Sequence, residues 1–165
     1  MTVSADLLRR HLEYSAWASA RLLDAAARLT PEELNRDFST ADRSVLGTLA
    51  HVYGADRVWL ARVLGRPQQP LAPEDRDFGR LRDAWPAVYG GWRDWAAGLN
   101  DEDAGGVLDY RDLKGNPWQS PLWQIVLHVV NHATHHRGQV SGFLRSMGKT
   151  PPALDLIAWY RRSSA

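Results

Sequence analysis

The sequence predicts an all-α protein, a four-helix bundle with crossover connections, on three observations. Four segments of about 20 residues repeat apolar side chains at three- and four-residue spacing, so each has one apolar face that needs a partner. Between them lie the N-cap residues, prolines and glycines that helix ends require. The middle connections are long rather than tight, which favours a crossover topology over a simple up-down-up-down arrangement. At 165 residues the chain suits one domain spanning 1–165, because a chain of roughly 150 residues can bury about 70% of its unfolded surface.

Taking the elements in order, Ser4 is a candidate N-cap for a first helix whose face is Leu7, Leu8, His11, Leu12, Ala16, Leu22 and Leu23 and which runs to about Leu29. Thr30-Pro31-Glu32-Glu33 ends it and opens a short turn, since Thr caps well and proline suits the first helical position. The second helix starts near Ser44 and continues through Leu49, His51, Val58 and Trp59 to Leu64, where Gly65 supplies a stop. Arg66 to Asp75, with three prolines, reads as an exposed connection. A third helix runs from about Phe78 to Leu99 with Trp85, Tyr89, Trp92 and Trp95 on one face; Pro86 inside it should start a new first turn or kink the helix. Gly106 to Trp118 suits a short hairpin or extended loop around Lys114-Gly115-Asn116-Pro117. Ser120-Pro121 then reads as N-cap and first position of a fourth helix ending at Met147, before Gly148. The tail from Pro151 to Tyr160 is too apolar for a free end and should pack on the bundle.

Composition excludes several functions. The longest apolar stretches fall far short of the roughly 20 residues that cross a bilayer, so no membrane span is expected. Met1 to Arg10 lacks the pattern of a secretory leader, which makes the cytoplasm the default location. A net charge of +1 supplies little field for nucleic acid, and no nucleic-acid partner is expected. With no cysteine in the chain, any metal must be held by His, Asp or Glu, and any thiol chemistry needs an external thiol.

The segment His128 to Gln139 holds four of the six histidines. On a helix, His132 and His136 stand one turn apart and project from the same face, which suits two ligands of one divalent ion. A straight row along one helix cannot converge on a tetrahedral centre, so a third ligand must come from another helix. His51 is the natural candidate, because an imidazole in an apolar-periodic helix is costly unless its nitrogens have partners. Three histidines with an open position would make a reactive site, able to lower the pKa of a bound water or thiol. Nitrogen ligation alone does not choose among zinc, nickel, iron and cobalt. His128 is expected to pack or to support the ligands, and His11 and His135 to be structural or exposed. The tryptophans of the third helix are expected in a core or a subunit contact. Asp56, five residues after His51, is turned away from its face and is expected on a solvated surface. Arg137 and Gln139 could meet an anionic substrate or link helices.

The run Asn131-His132-Ala133-Thr134-His135-His136-Arg137-Gly138-Gln139 resembles the NHxxHHRGQ signature of the DinB (DNA-damage-inducible) family of small metal-binding four-helix proteins. Tyr14 to Arg21, Gly47 to Trp59, and Pro151 to Ile157 with Tyr160 are similar to three further segments of that family. Ser19 stands where the family often has asparagine. The resemblance implies a crossover four-helix bundle, commonly a homodimer, with metal-binding histidines that map onto His51, His132 and His136. Among family members are bacillithiol-dependent S-transferases and the metal-binding domain of mycothiol-dependent isomerases. The resulting expectation is a metal-dependent enzyme, with zinc or nickel as the ion, that activates a low-molecular-weight thiol such as bacillithiol or mycothiol, or water, against a small-molecule substrate. The rival expectations are a non-catalytic metal-binding protein with a stress-response or interaction role, and a metal-dependent hydrolase.

Overall fold

The computed structural model describes residues 3–162. Its long helices are α1 (Ala5–Ala26), α3 (Val45–Val63), α4 (Phe78–Ala97) and α6 (Leu122–Ser146). The short ones are α2 (Pro31–Asn35), α5 (Asp101–Gly105) and α7 (Leu156–Arg162), with a 3-10 turn at Pro73–Arg76. Strands β1 (Val107–Arg111) and β2 (Pro117–Pro121) form one antiparallel hairpin. Each long helix packs on two others: α1 and α3 both lie against α4 and α6. The sequential pairs α1/α3 and α4/α6 therefore sit diagonally, which is the crossover expected of long connections. The path from α1 to α3 carries α2, and the path from α4 to α6 carries α5 and the hairpin.

Local chemistry sets most helix starts. Ser4, Ser44 and Asp77 accept from the backbone N–H groups of Leu7, Gly47 and Arg80, and Thr30 with Glu33 forms a reciprocal capping box. Gly65 takes φ +61° after α3, where a residue with a Cβ would be strained. One core draws on all four long helices, with Leu8, Leu22, Leu49, Leu81, Trp85, Val126 and Leu144 fully buried. Each such side chain stabilises the fold by roughly 1.5–3 kcal/mol relative to exposure. The tail packs back as expected: Trp159 is buried, and the Tyr14 hydroxyl donates to the Leu154 carbonyl at 2.9 Å.

Three expectations need correction. Pro86 does not divide the third helix, because it and Arg82, whose carbonyl it leaves unpaired, both lie on the exposed face of one continuous α4. Ser120 is not the cap of α6. It pairs with Leu108 in the hairpin, Pro121 takes the cap position, and the Leu122 N–H donates to the Gly106 carbonyl at 2.8 Å. Strand pairing thus claims the residues whose sequence alone reads as a helix start. Asp56, expected on a solvated surface, is 2% exposed and accepts from the Trp85 indole N–H at 3.0 Å. Turning away from the His51 face takes it into the bundle interior, because α3 is covered on several sides. Burial raises its carboxyl pKa to about 6, against the indole hydrogen bond and the charge of Arg137.

The loop from Arg36 to Ser44 is held from three directions. The Phe38 N–H donates to the Arg43 carbonyl at 2.7 Å, Asp37 pairs with Arg43, and the Phe38 ring stacks on Phe143 of α6 at 4.2 Å. Its far end presses on α3, where a Cβ at Gly47 would fall 2.0 Å from the Asp42 carbonyl oxygen. Gly47→Ala is therefore expected to cost about 1–3 kcal/mol, whereas Gly142→Ala in α6, where an added Cβ meets nothing within 4 Å, should be neutral or stabilising by up to about 1 kcal/mol. Urea denaturation midpoints of the two variants test this, and equal midpoints would rule out the close approach.

Candidate metal centre

The three histidines picked out by spacing converge from two helices. His51 projects from α3, and His132 and His136 project one turn apart from α6. One ring nitrogen from each lies within 4.8 Å of the other two, and the three could hold a metal ion. His51 Nε2 and His132 Nε2 approach to 3.0 Å, and the His51 and His136 ring centroids lie 4.5 Å apart. Two nitrogens that share a tetrahedral ion at roughly 2.0–2.1 Å stand a little over about 3 Å apart, so the spacing suits the chemistry.

The outer nitrogens are directed by neighbours. His136 Nδ1 lies 2.8 Å from Gln139 Oε1, a carbonyl oxygen that can only accept, so Nδ1 carries the hydrogen and Nε2 keeps its lone pair. The Asp42 carboxylate sits between the two helices, 3.6 Å from His51 Nδ1 and 3.7 Å from His136 Nδ1. A carboxylate at that position favours the Nδ1–H tautomer on both rings and turns each Nε2 inward. Sequence reasoning missed Asp42, because no periodicity places a loop residue; its nearest signal is Gly47, whose missing side chain admits the Asp42 backbone.

The cluster disfavours protonation. Burial pushes the His132 pKa down to about 4, and the positive charges that His136, His51, His128 and His135 would carry push it further the same way. His136 is also lowered, by burial first, against the Gln139 hydrogen bond and the Asp42 charge. Near neutral pH His132 and His136 are therefore neutral and their lone pairs are available, as coordination requires.

The remaining singled-out residues fall outside the cluster. His128 packs its ring 5.3 Å from Trp59, and His11 bonds back to the Leu7 carbonyl at 2.9 Å. His135 is exposed, with its ring edge-on to His136. Trp85 and Trp92 are core residues. Arg137 links helices: it is 3% exposed, and its Nη1 donates to the Ser15 and Ser19 hydroxyls of α1 at 3.0 and 3.1 Å. Ser19 is thus the partner of Arg137, a function that a short hydroxyl fulfils.

The DinB family model matches residues 1–163. The chain belongs to the DinB family. Protein DinB of Bacillus subtilis (strain 168) is 21% identical over 160 residues, covering 92% of each chain. YizA of the same strain, an uncharacterized protein, is 22% identical over 134 residues, covering 79% of this chain and 81% of its own. The crystal structure of a DinB-like protein from Bacillus cereus ATCC 10987 superposes with a TM-score of 0.68 at 22% identity, covering 93% of this DinB-family chain and 99% of its own. That likeness is one of fold.

The cluster predicts a pH dependence for metal-free protein. Below pH 6.5 the unfolded chain takes up a proton at residue 132 that the native state refuses until about pH 4. Stability therefore falls as pH drops through that window. Melting temperatures measured from pH 7 to pH 4 should decline, and His132→Gln should flatten the decline; an unchanged slope would place its origin elsewhere.

Proposed function

We propose that this DinB-family protein is a metal-dependent enzyme in which His51, His132 and His136 hold one divalent ion, zinc or nickel. It activates a low-molecular-weight thiol or water for attack on a small electrophile, in the manner of an S-transferase. The observation that carries the reading is the meeting of three imidazoles from two helices, with the outer nitrogens of His51 and His136 facing Asp42 and that of His136 also Gln139. When bound, the ion would supply Lewis acidity, lowering the pKa of a coordinated thiol or water.

The chain's own residues would do the rest. Asp42 and Gln139 keep the tautomers of His51 and His136 fixed, so that their Nε2 lone pairs point toward His132. His51 is half-exposed at the edge of the bundle, which leaves an approach for a thiol and its acceptor. The chain contains no cysteine, so no protein thiolate competes with an external thiol for the open position.

A second reading has one observation in its favour: the candidate ligands come from two helices, so an ion there would also clasp α3 to α6. On that reading the protein is a non-catalytic metal binder. Metal analysis and turnover assays with several thiols and electrophilic acceptors separate the readings. Wild type should retain about one ion per chain while His132→Ala and His132→Gln, checked for helicity, retain almost none. Thiol-dependent consumption of an acceptor should vanish in the same variants. Equal metal content in wild type and variants would remove the site. Bound metal with thiol-free turnover would make the enzyme a hydrolase, and bound metal with no turnover, but a lower melting temperature on chelation, would leave the structural clasp.

A further inference from the structure

From His51 a cleft of about 270 Å³ runs along α3 toward the hairpin, walled by His51, Val58, Trp59, Arg62, Leu71 and Leu113. Most of this wall is apolar. Leu71 comes from the connection after α3 and packs so closely on Gly54 that a Cβ there would lie 3.2 Å from its Cδ1. Leu113, 60% exposed at the hairpin turn, forms the opposite lip.

The one cation on this wall is Arg62, and it is held without being neutralised. Its guanidinium lies over the Trp59 ring at 4.2 Å and the Tyr110 ring at 5.1 Å. Its Nε donates to Gln68 Oε1 at 3.1 Å, and the Gln68 amide donates onward to the Arg111 carbonyl of β1 at 2.8 Å. Among the described residues no carboxylate pairs with it, and Nη1 and Nη2 make no hydrogen bond. The carboxylate whose charge it feels, Asp112, is already occupied by the N–H groups of Lys114, Asn116 and Trp118. Arg57, one turn and a half earlier on α3, is different: its Nη1 is taken by Asp75 at 2.8 Å.

We propose that this cleft binds the carboxylate of an elongated, otherwise apolar small molecule, with Arg62 as the anchor and the far end of the ligand presented at His51. The inference rests on the metal-dependent reading for what happens at that far end, but not for the binding itself. Two donors in one plane match the two oxygens of a carboxylate. A single positive charge suits a singly charged group, and Arg62 is the one cation lining the cleft. Stacking on Trp59 and Tyr110 fixes the guanidinium before the ligand arrives, which lowers the entropic cost of binding. Length follows from the helix, since about three turns separate Arg62 from His51 and the arginine side chain leans back over Trp59, leaving a gap of several bonds to span.

The test uses 5-phenylpentanoate as the probe, with 5-phenylpentanamide and 4-phenylbutyl phosphate as controls, titrated calorimetrically into metal-loaded protein. Wild type should bind the acid about tenfold to a hundredfold tighter than the amide. Arg62→Gln should abolish that preference while keeping its helicity and metal content. His132→Ala should keep the preference, because the acid is held by Arg62 and not by the ion. Equal binding of acid and amide to wild type, a preference that survives Arg62→Gln, tighter binding of the phosphate ester, or a preference lost in His132→Ala would each overturn the proposal. A wild type that carries no metal but shows the Arg62-dependent preference would sink the metal reading and leave this site standing.

Discussion

Everything at the centre depends on the rotation of α6 about its own axis. Consecutive residues on a helix point about 100° apart, so His136 and Arg137 must face different neighbours. Arg137 is buried against α1, where the Ser15 and Ser19 hydroxyls accept from its Nη1, and the Thr134 hydroxyl accepts from Nη2 at 2.8 Å, leaving only Nε without a partner among the described residues. With Arg137 locked on that side, His132 and His136 turn toward α3 and meet His51. A buried guanidinium is costly to strand, so this hydrogen-bonded anchor resists any slip of α6 that would scatter the histidines.

The polar interior is built from groups with opposing titration behaviour. His132 refuses a proton that the unfolded chain accepts, which penalises the native state as pH falls below 6.5. Asp56 does the reverse: burial lifts its pKa to about 6, above the 3.8 of an ordinary aspartate, so the native state gains its proton first and benefits as pH falls through that window. The two sit on different sides of α3. One faces the histidine cluster, and the other is sealed among Trp85, Tyr89 and the charge of Arg137. The bundle thus separates a site whose nitrogens need lone pairs from a buried acid that no solvent reaches.

The connections do more than join helices. The loop before α3 delivers Asp42 to the outer face of two imidazoles, clamped by Phe38 on Phe143 and by the contact at Gly47. It spends unfavourable backbone geometry to do so, with Ser39 and Arg43 at φ +56° and +65°. The hairpin between α5 and α6 likewise brings Tyr110 and Leu113 alongside α3, giving Arg62 and Trp59 a wall they lack on the helix alone. Both connections belong to the crossover topology, since each must travel between diagonal helices and so passes over an end or a face of the bundle.

The sequence by itself determined the helical class, the four long amphipathic segments and most of their caps, because periodicity and capping are local: they depend on residues within a turn or two of one another. It also determined that any metal chemistry must rest on histidine, and that His132 and His136 share a face. The cost of an unpartnered imidazole singled out His51 on a distant helix, and the family resemblance maps its third metal-binding histidine onto the same residue. Tertiary structure alone decided which carboxylate stands beside those rings, that Asp56 is interior, that Ser120 pairs in a strand, and that among the described residues nothing accepts from Nη1 and Nη2 of Arg62. Each of these depends on what a neighbouring element brings within a few ångströms. Sequence spacing gives a side chain's direction on its own helix, but not what waits on the other side.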